Sequence, residues 1–175
     1  WIAAGEALVV RDLNGNGSID SGRELFGDST ILANGPRAGQ AAANGFEALA
    51  DLDSNADGQF NASDAAFTSV KLWKDLNQDA LSQSGELFTF AQQSVVGINV
   101  TGTTSTINLV DGNGQPTGNT QPLSGSFTRT NGQVGTSGVA ELAGSLLLAN
   151  INFFRKRYEL RSCFRAYLCV GGGNG

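Results

Sequence analysis

One twelve-residue stretch, residues 53–64 (loop B), limits the possible folds of this chain more than any other. Side chains that carry oxygen stand at loop positions 1, 3, 5, 7, 9 and 12, and Gly58 stands at position 6. A loop that curls around a hard cation points alternate residues inward, turns sharply at glycine and closes with a carboxylate at position 12. The pattern predicts an EF-hand type of calcium loop. Its candidate ligands are Asp53, Asn55, Asp57, Gln59, Asn61 and Asp64.

A second stretch in the same register begins 22 positions later, at residues 75–86 (loop C). It keeps carboxylates at positions 1, 5 and 12 and an asparagine at position 3, and position 7 would contribute its backbone carbonyl. Ala80 replaces the glycine of position 6, where a Cβ in the left-handed conformation costs on the order of 1 kcal/mol. We therefore expect loop C to bind more weakly than loop B. Its candidate ligands are Asp75, Asn77, Asp79, Leu81 and Glu86.

A third stretch, residues 12–24 (loop A), matches the beginning of the pattern but not its end. Position 12 is Arg23, and the closing carboxylate, Glu24, comes one residue late. Either the loop is one residue longer than standard, or Asp20 and Glu24 close the shell in a variant geometry; the first interpretation is favoured. The candidate ligands are Asp12, Asn14, Asn16, Ser18, Asp20 and Glu24.

The chemistry of these side chains indicates which ion the loops would take. Carboxylate and amide oxygens without Cys or His favour Ca²⁺ over zinc or copper. The chain has no His at all, which excludes a His-based catalytic triad and a His-ligated zinc site. The alternative for any single Asp/Asn/Gly cluster is an ordinary turn. Nine carboxylates crowded into three loops would repel one another, so we expect Ca²⁺ binding to supply folding free energy.

Hydrophobic periodicity predicts an α+β fold, with short helices around EF-hand-like calcium loops and a small antiparallel β meander after them. Asn44 is a predicted helix N-cap, with Glu47 at the capping-box position, so a short helix should lead into loop B. Apolar residues at helical spacing predict a helix over residues 65–74 that loops B and C share. An exit helix is expected over residues 87–94.

Strand periodicity follows. Apolar residues alternate with polar ones over residues 96–101, and further strands are predicted around residues 107–109 and 123–130. The Asn131-Gly132 dipeptide is a strong hairpin signal that leads into a fourth strand.

Composition divides the chain into three segments. Residues 1–95 are predicted to form the EF-hand-like calcium-binding segment, and residues 96–145 an antiparallel β segment packed on it as one domain. Residues 146–175 are predicted to form a basic tail, helical and then disordered. The last 25 residues hold five Lys/Arg against one Asp/Glu, whereas the whole chain has a net charge of −5, which argues against nucleic acid as a partner. A tail helix docked on the core is favoured over a helix on a membrane surface.

Four stretches resemble the calcium-binding, self-processing module of iron-regulated RTX exoproteins. They are residues 8–17, 22–28, 44–55 and 72–79. The resemblance extends over about residues 1–150. It implies a large secreted bacterial protein that a type I system exports and external calcium folds. It also implies cleavage of an Asp-Pro bond at the module's N-terminal edge, whose aspartyl end can link to a lysine amine. This chain contains no Asp-Pro and begins with a bare Trp1, so we expect an N-terminally truncated module.

The favoured function is a non-enzymatic, extracellular, calcium-binding structural module whose partners are calcium ions and the rest of a larger exoprotein. One alternative is calcium-triggered Asp-Pro self-processing and cross-linking in a longer parent chain. Another is a dockerin-like partner-binding module, because loop B, with Asp64 at position 12, also resembles dockerin loops. Dockerins repeat their recognition residues after each loop, whereas residues 65–68 and 87–90 differ from each other.

Overall fold

Nine β-strands, one α-helix and three 3-10 helices make up the parts of the chain that the computed structural model describes, residues 5–110, 114–141 and 166–170. The strands are β1 Ala7–Arg11, β2 Gln59–Asn61, β3 Val70–Trp73, β4 Leu87–Phe88, β5 Val95–Asn99, β6 Thr103–Val110, β7 Pro116–Arg129, β8 Val134–Glu141 and β9 Ala166–Val170. The α-helix, α1, is Gly45–Ala50, and the 3-10 helices are Gly22–Glu24, Phe67–Ser69 and Ala91–Gln93.

The strands form one antiparallel sheet in the order β2-β5-β7-β8-β9-β1-β3-β4, and β6 also pairs with the long strand β7. Strand β9 lies between β8 and β1, with Val170 opposite Ser137 on one side and Ala7 on the other. Residues 166–170, in the part of the tail predicted to be disordered, are therefore a strand that joins β8 to β1. The helix predicted in the tail falls on residues outside the described ranges.

The predicted α+β fold with EF-hand helices is wrong. Among the described residues only α1 is α-helical, and the fold is an antiparallel β-sheet. The helix expected over residues 65–74 is replaced by a 3-10 helix and β3, and the one expected over residues 87–94 by β4 and another 3-10 helix. None of the described helices is long and apolar enough to span a membrane.

Burial on both faces explains why β3 is a strand. Val70 and Leu72 contact one hydrophobic cluster, while Trp73 belongs to another on the opposite side. Alternate side chains of a strand point to opposite faces, so two buried faces give a nearly continuous apolar run. The spacing of Phe67, Val70 and Trp73 also matches a helix, and periodicity alone does not separate the two in so short a segment. Hydrogen bonding to β1 on one side and β4 on the other stabilises the strand conformation.

The N-cap prediction for α1 is confirmed. The side-chain oxygen of Asn44 accepts the backbone N–H groups of Phe46 and Glu47, at 2.9 and 3.1 Å. These are two of the donors that the first turn of a helix leaves without intrahelical partners. Glu47 accepts the N–H of Ala43 rather than that of the cap residue. The helix directs Phe46 and Leu49 into the core.

The predicted strands after residue 95 are confirmed, as is the hairpin. Strands β7 and β8 are joined by a tight turn in which Arg129 N–H donates to the carbonyl of Gln133 at 2.8 Å. Gly132 adopts φ +80°, which glycine reaches without steric cost. The Asn-Gly signal thus fixes the register of this hairpin.

Two hydrophobic clusters lie on either side of β1. Ala7 and Val9 belong to the main core, whose centre includes the rings of Phe60 and Phe90 with centroids 6.0 Å apart. Leu8 and Val10 point the other way, into a second core with Ile19, Leu25 and Trp73. Since the main core also contains residues of β3, β5, β7 and β8, distant parts of the sheet curve around it.

The loop at residues 28–43 is held to α1 by two carboxylates. Asp51 accepts the N–H groups of Ala33 and Asn34, both at 2.8 Å. Glu47 forms an ion pair with Arg37 and accepts the N–H of Ala43. The Ala43 N–H, and then the hydrogen bond from Arg37, lower the pKa of Glu47 below its usual 4.5. Glu47 therefore stabilises the fold in its charged form.

Replacing Phe60 with Ala should lower the free energy of unfolding by about 3–5 kcal/mol, because truncating a buried ring loses its burial and leaves a cavity. Phe60 is 0% exposed. Urea unfolding at constant calcium would measure the loss, with Val134→Ala, at a 69% exposed residue, as the matched control. A loss below about 1 kcal/mol would contradict the packing of this core.

Glu47→Gln should lower stability at neutral pH by about 1 kcal/mol, since it removes the charge that Arg37 and the Ala43 N–H contact. A carboxyl group whose folded-state pKa is depressed stabilises the fold above its unfolded pKa and loses that contribution as pH falls through the folded pKa. The difference between variant and wild type should thus shrink below pH 4.5. Urea unfolding across this range tests it, with Asp28→Asn as control; a difference independent of pH would refute the assignment.

Candidate metal-binding loops

Each of the three loops begins with an aspartate that organises the loop backbone. One carboxylate oxygen accepts the N–H of position 6, and the other accepts the N–H of position 5. The position-6 distances are 2.8 Å for Asp12, 2.9 Å for Asp53 and 2.8 Å for Asp75. The position-5 distances are 3.2, 3.3 and 3.2 Å. The aspartate therefore curls the chain around itself in the same way in all three loops.

The asparagine of position 3 brings a second oxygen to the same point. In loop B, the N–H of Asp57 donates both to Asp53 and, at 3.1 Å, to the side-chain oxygen of Asn55. Loop C repeats this arrangement at Asp79, and loop A at Asn16. The corresponding asparagine distances are 3.1 Å for Asn77 and 2.9 Å for Asn14. Two side-chain oxygens thus converge on one donor in every loop.

Position 5 connects the first half of each loop to the second. The side-chain oxygens of Asn16, Asp57 and Asp79 each accept the N–H of position 7 at 2.8 Å. Those position-7 residues are Ser18, Gln59 and Leu81. The Gln59 N–H, followed by the hydrogen bond from Asn55, lowers the pKa of Asp57, so this exposed carboxylate stays charged.

The closing carboxylates tie both ends of each loop together. In loop B, Asp64 accepts the N–H groups of Ser54 and Asn61, at positions 2 and 9, both at 2.8 Å. In loop C, Glu86 accepts those of Leu76 and Gln83 at 3.0 and 3.1 Å. All three closing carboxylates are buried, with exposures of 2% for Glu24, 5% for Asp64 and 4% for Glu86.

Glu24 makes the equivalent contacts in loop A, although it stands at position 13. It accepts the N–H of Leu13 at 3.1 Å and that of Asp20 at 2.9 Å, again positions 2 and 9. This placement fits a loop that is one residue longer than the standard. The Asp20 carboxylate accepts the side-chain amides of Asn14 and Asn16, at 3.4 and 3.0 Å.

The backbone of each loop passes through the left-handed region at position 6, as the glycine pattern predicts. Gly17, Gly58 and Ala80 have φ values of +80°, +83° and +60°. The strain expected at Ala80 is therefore present. Position 4 is also left-handed, which the sequence analysis missed. Gly15 occupies it at φ +71°, Ala56 at +56° and Gln78 at +60°. Loop C thus holds two non-glycine residues in this region, loop B one and loop A none.

Strands rather than helices flank loops A and C. Loop A follows β1, and its far end returns to that strand through the pair Val10 and Leu25. Loop C connects β3 to β4, with Trp73 opposite Leu87. Loop B begins after α1 and contains β2, which pairs with β5. The residue after each closing glutamate therefore packs into the second core next to β1 or β3.

The donor atoms fit a hard cation. Each loop offers carboxylate, amide and backbone oxygens and no nitrogen or sulfur ligand, the set that Ca²⁺ accepts with six to eight ligands. No three Asp, Glu, Cys or His side chains converge on one point anywhere in residues 5–110, 114–141 and 166–170. Most loop carboxylates instead face backbone N–H groups, so amide and carbonyl oxygens would have to complete a shell.

Comparisons with known proteins give the family. The SPM domain family matches residues 1–143. The chain is also similar to the iron-regulated protein FrpA of Neisseria meningitidis serogroup C, with 44% identity over 163 residues. That alignment covers 91% of this chain but only 13% of the relative, so the chain spans a small part of that protein's length. The predicted resemblance to a module of iron-regulated proteins is confirmed at this level.

Ala80→Gly should raise the free energy of unfolding by about 1 kcal/mol, because glycine adopts a left-handed φ without the steric cost of a Cβ. Urea unfolding at constant calcium would measure the gain. Ala62→Gly is the matched control, since Ala62 is exposed and has no positive φ, and glycine there should be neutral or destabilising. Equal effects of the two substitutions would show that Ala80 carries no strain.

Proposed function

Because this chain belongs to the SPM domain family, we propose that it is a calcium-binding structural module of a larger secreted exoprotein and that it folds when calcium binds. The observation that carries the proposal is one hydrogen-bonding scaffold, repeated in three loops, that gathers side-chain oxygens from positions 1 and 3 at the same point. Such repetition is difficult to explain by turn formation alone, because an ordinary turn needs only one capping side chain.

Each loop would hold one Ca²⁺ through the oxygens of its odd positions and its closing carboxylate. Calcium supplies the positive charge that offsets repulsion among the carboxylates. In loop A the ligands would come from Asp12, Asn14, Asn16, Ser18, Asp20 and Glu24. In loop B they would come from Asp53, Asn55, Asp57, Gln59, Asn61 and Asp64, and in loop C from Asp75, Asn77, Asp79, Leu81 and Glu86. Leu81 and Ser18 would contribute backbone carbonyls.

Burial of the closing carboxylates links the ion to the fold. Burying a charge costs several kcal/mol unless other charges or hydrogen bonds compensate it. Glu24 and Glu86 stand beside Leu25 and Leu87, which pack in or against the second core. A cation that lowers the cost of these charges would therefore favour assembly of β1, β3 and β4. At a calcium concentration one hundred times the dissociation constant, one site adds about 2.7 kcal/mol to stability.

This coupling suits a protein that is exported before it folds. A module that needs calcium would remain loose in a calcium-poor cytosol and become compact outside the cell. We propose this role as structural, with no catalytic residue in the chain and with the rest of the larger exoprotein as its partner. The self-processing that the family resemblance implies needs an Asp-Pro bond, and this chain contains none.

A calcium titration of chelator-treated protein tests the proposal. Millimolar calcium should increase both the far-UV circular dichroism signal of secondary structure and the melting temperature. Magnesium should have a smaller effect, because it demands a more rigid octahedral shell. Asp12→Ala, Asp53→Ala and Asp75→Ala should each require more calcium, because each removes the first ligand of one loop. Asp53→Ala should have a larger effect than Asp75→Ala, since loop B carries less backbone strain than loop C.

Asp28→Ala is the matched control for these variants. It removes the same charge outside the loops, and it should titrate like the wild type. A spectrum and melting temperature that calcium leaves unchanged in the wild type would refute calcium-dependent folding. Equal effects of Asp28→Ala and Asp53→Ala would show that the response to calcium depends on net charge and not on the loops.

A further inference from the structure

A cavity of about 120 Å³ at one end of the sheet brings two cationic side chains to a single residue. It lies where β1 and β5 begin and β3, β7 and β9 end. Lys74 directly follows β3, Arg129 ends β7, and Gln93 ends the 3-10 helix before β5. All three line the cavity and are half-buried.

Gln93 holds both cations through different oxygens. The Lys74 Nζ donates to the side-chain oxygen of Gln93 at 3.4 Å, and the Arg129 Nη1 donates to its backbone carbonyl at 3.4 Å. The guanidinium of Arg129 also lies over the ring of Phe127, 5.0 Å from its centroid. Both distances are longer than the usual range for N–H···O bonds. Because an ammonium has three N–H donors and a guanidinium five, each cation keeps donors for another acceptor.

The electrostatic balance of the cavity is unusual for this protein. The chain carries 16 Asp/Glu against 11 Lys/Arg, yet no described residue that lines the cavity is acidic. Among the described residues neither cation forms an ion pair, and the salt bridge found there joins Arg37 to Glu47. Two like charges held near one residue repel each other, and partial burial weakens screening by water. An anion between them would replace this repulsion with attraction.

The size and donors of the cavity define the anion. The cavity of about 120 Å³ has room for an anion of four or five non-hydrogen atoms. An ammonium and a guanidinium are the donors that bind carboxylate and tetrahedral oxyanions through charge-assisted hydrogen bonds. Leu72, Val95 and Phe127 also line the cavity, and apolar neighbours lower the local dielectric and so strengthen such bonds.

We propose that this cavity binds a small oxyanion through Lys74 and Arg129, with Gln93 as the residue that positions both. The oxyanion is either a free tetrahedral ion or a carboxylate presented by a peptide segment. No candidate calcium ligand lines the cavity, so the site is distinct from the calcium loops. Lys74 nevertheless adjoins loop C, since it precedes Asp75 and donates its backbone N–H to the carbonyl of Glu86 at 3.0 Å. The two cations that bind the anion follow β3 and end β7. Because β8, β9 and β1 separate these two strands in the sheet, binding would join distant parts of it.

Nuclear magnetic resonance of the ¹⁵N-labelled chain tests the proposal. Calcium-containing protein is titrated with sodium sulfate in one arm and sodium acetate in the other, at constant ionic strength set with chloride. The side-chain amide of Gln93 and the Nε–H of Arg129 should shift and saturate in at least one arm. Saturation with sulfate alone identifies a tetrahedral ion, with acetate alone a carboxylate, and with both a general oxyanion site.

Lys74→Gln and Arg129→Gln should weaken this binding at least tenfold. Lys71→Gln, three residues earlier on β3 and outside the cavity, is the matched control and should bind like the wild type. Spectra in chloride alone establish that each variant is folded; should Arg129→Gln unfold because its contact with Phe127 is lost, Lys74→Gln decides alone. Shifts that stay linear in both arms, or binding that Lys74→Gln leaves intact, would overturn the site.

Discussion

The bond between a buried closing carboxylate and two backbone N–H groups is the interaction on which the rest of the structure depends. Glu24, Asp64 and Glu86 each fasten position 2 of a loop to position 9. Each carboxylate thereby sets where the chain leaves its loop and joins the sheet or a hydrophobic core. Because these groups are buried, their charges must be compensated wherever the fold exists. The loops and the sheet are therefore connected through the same buried groups.

The parts of the molecule that the sequence predicts are those that depend on neighbouring residues alone. The left-handed position 6 of the loops, the Asn44 cap and the Asn131-Gly132 hairpin are local features, in which a few adjacent residues meet their own conformational and hydrogen-bonding needs. The left-handed backbone at Ala80 follows from its loop position alone. The sequence leaves two loop geometries open for Glu24, because a one-residue insertion shifts it to position 13. In the fold it accepts the N–H groups of positions 2 and 9, as the other two closing carboxylates do.

The helices expected around the loops fail for the opposite reason. Whether residues 70–73 form a helix or a strand depends on the partners β1 and β4, which lie far away in the sequence. The second core gives Trp73 a place on the face opposite Leu72, and no periodicity in so short a stretch reveals two buried faces. The Lys74 and Arg129 cavity is likewise invisible in the sequence, since 55 positions separate the two cations.

Strand β9 has a consequence for the order in which the molecule forms. Its residues, 166–170, separate β8 from β1, and Val170 stands opposite Ala7 across more than 160 positions of chain. Contacts of such high sequence separation slow folding, because the entropy of closing a long loop is lost before the contact is made. The sheet cannot be completed until β9 has left the ribosome. Its topology therefore keeps β1 and β8 unjoined while the intervening chain is made.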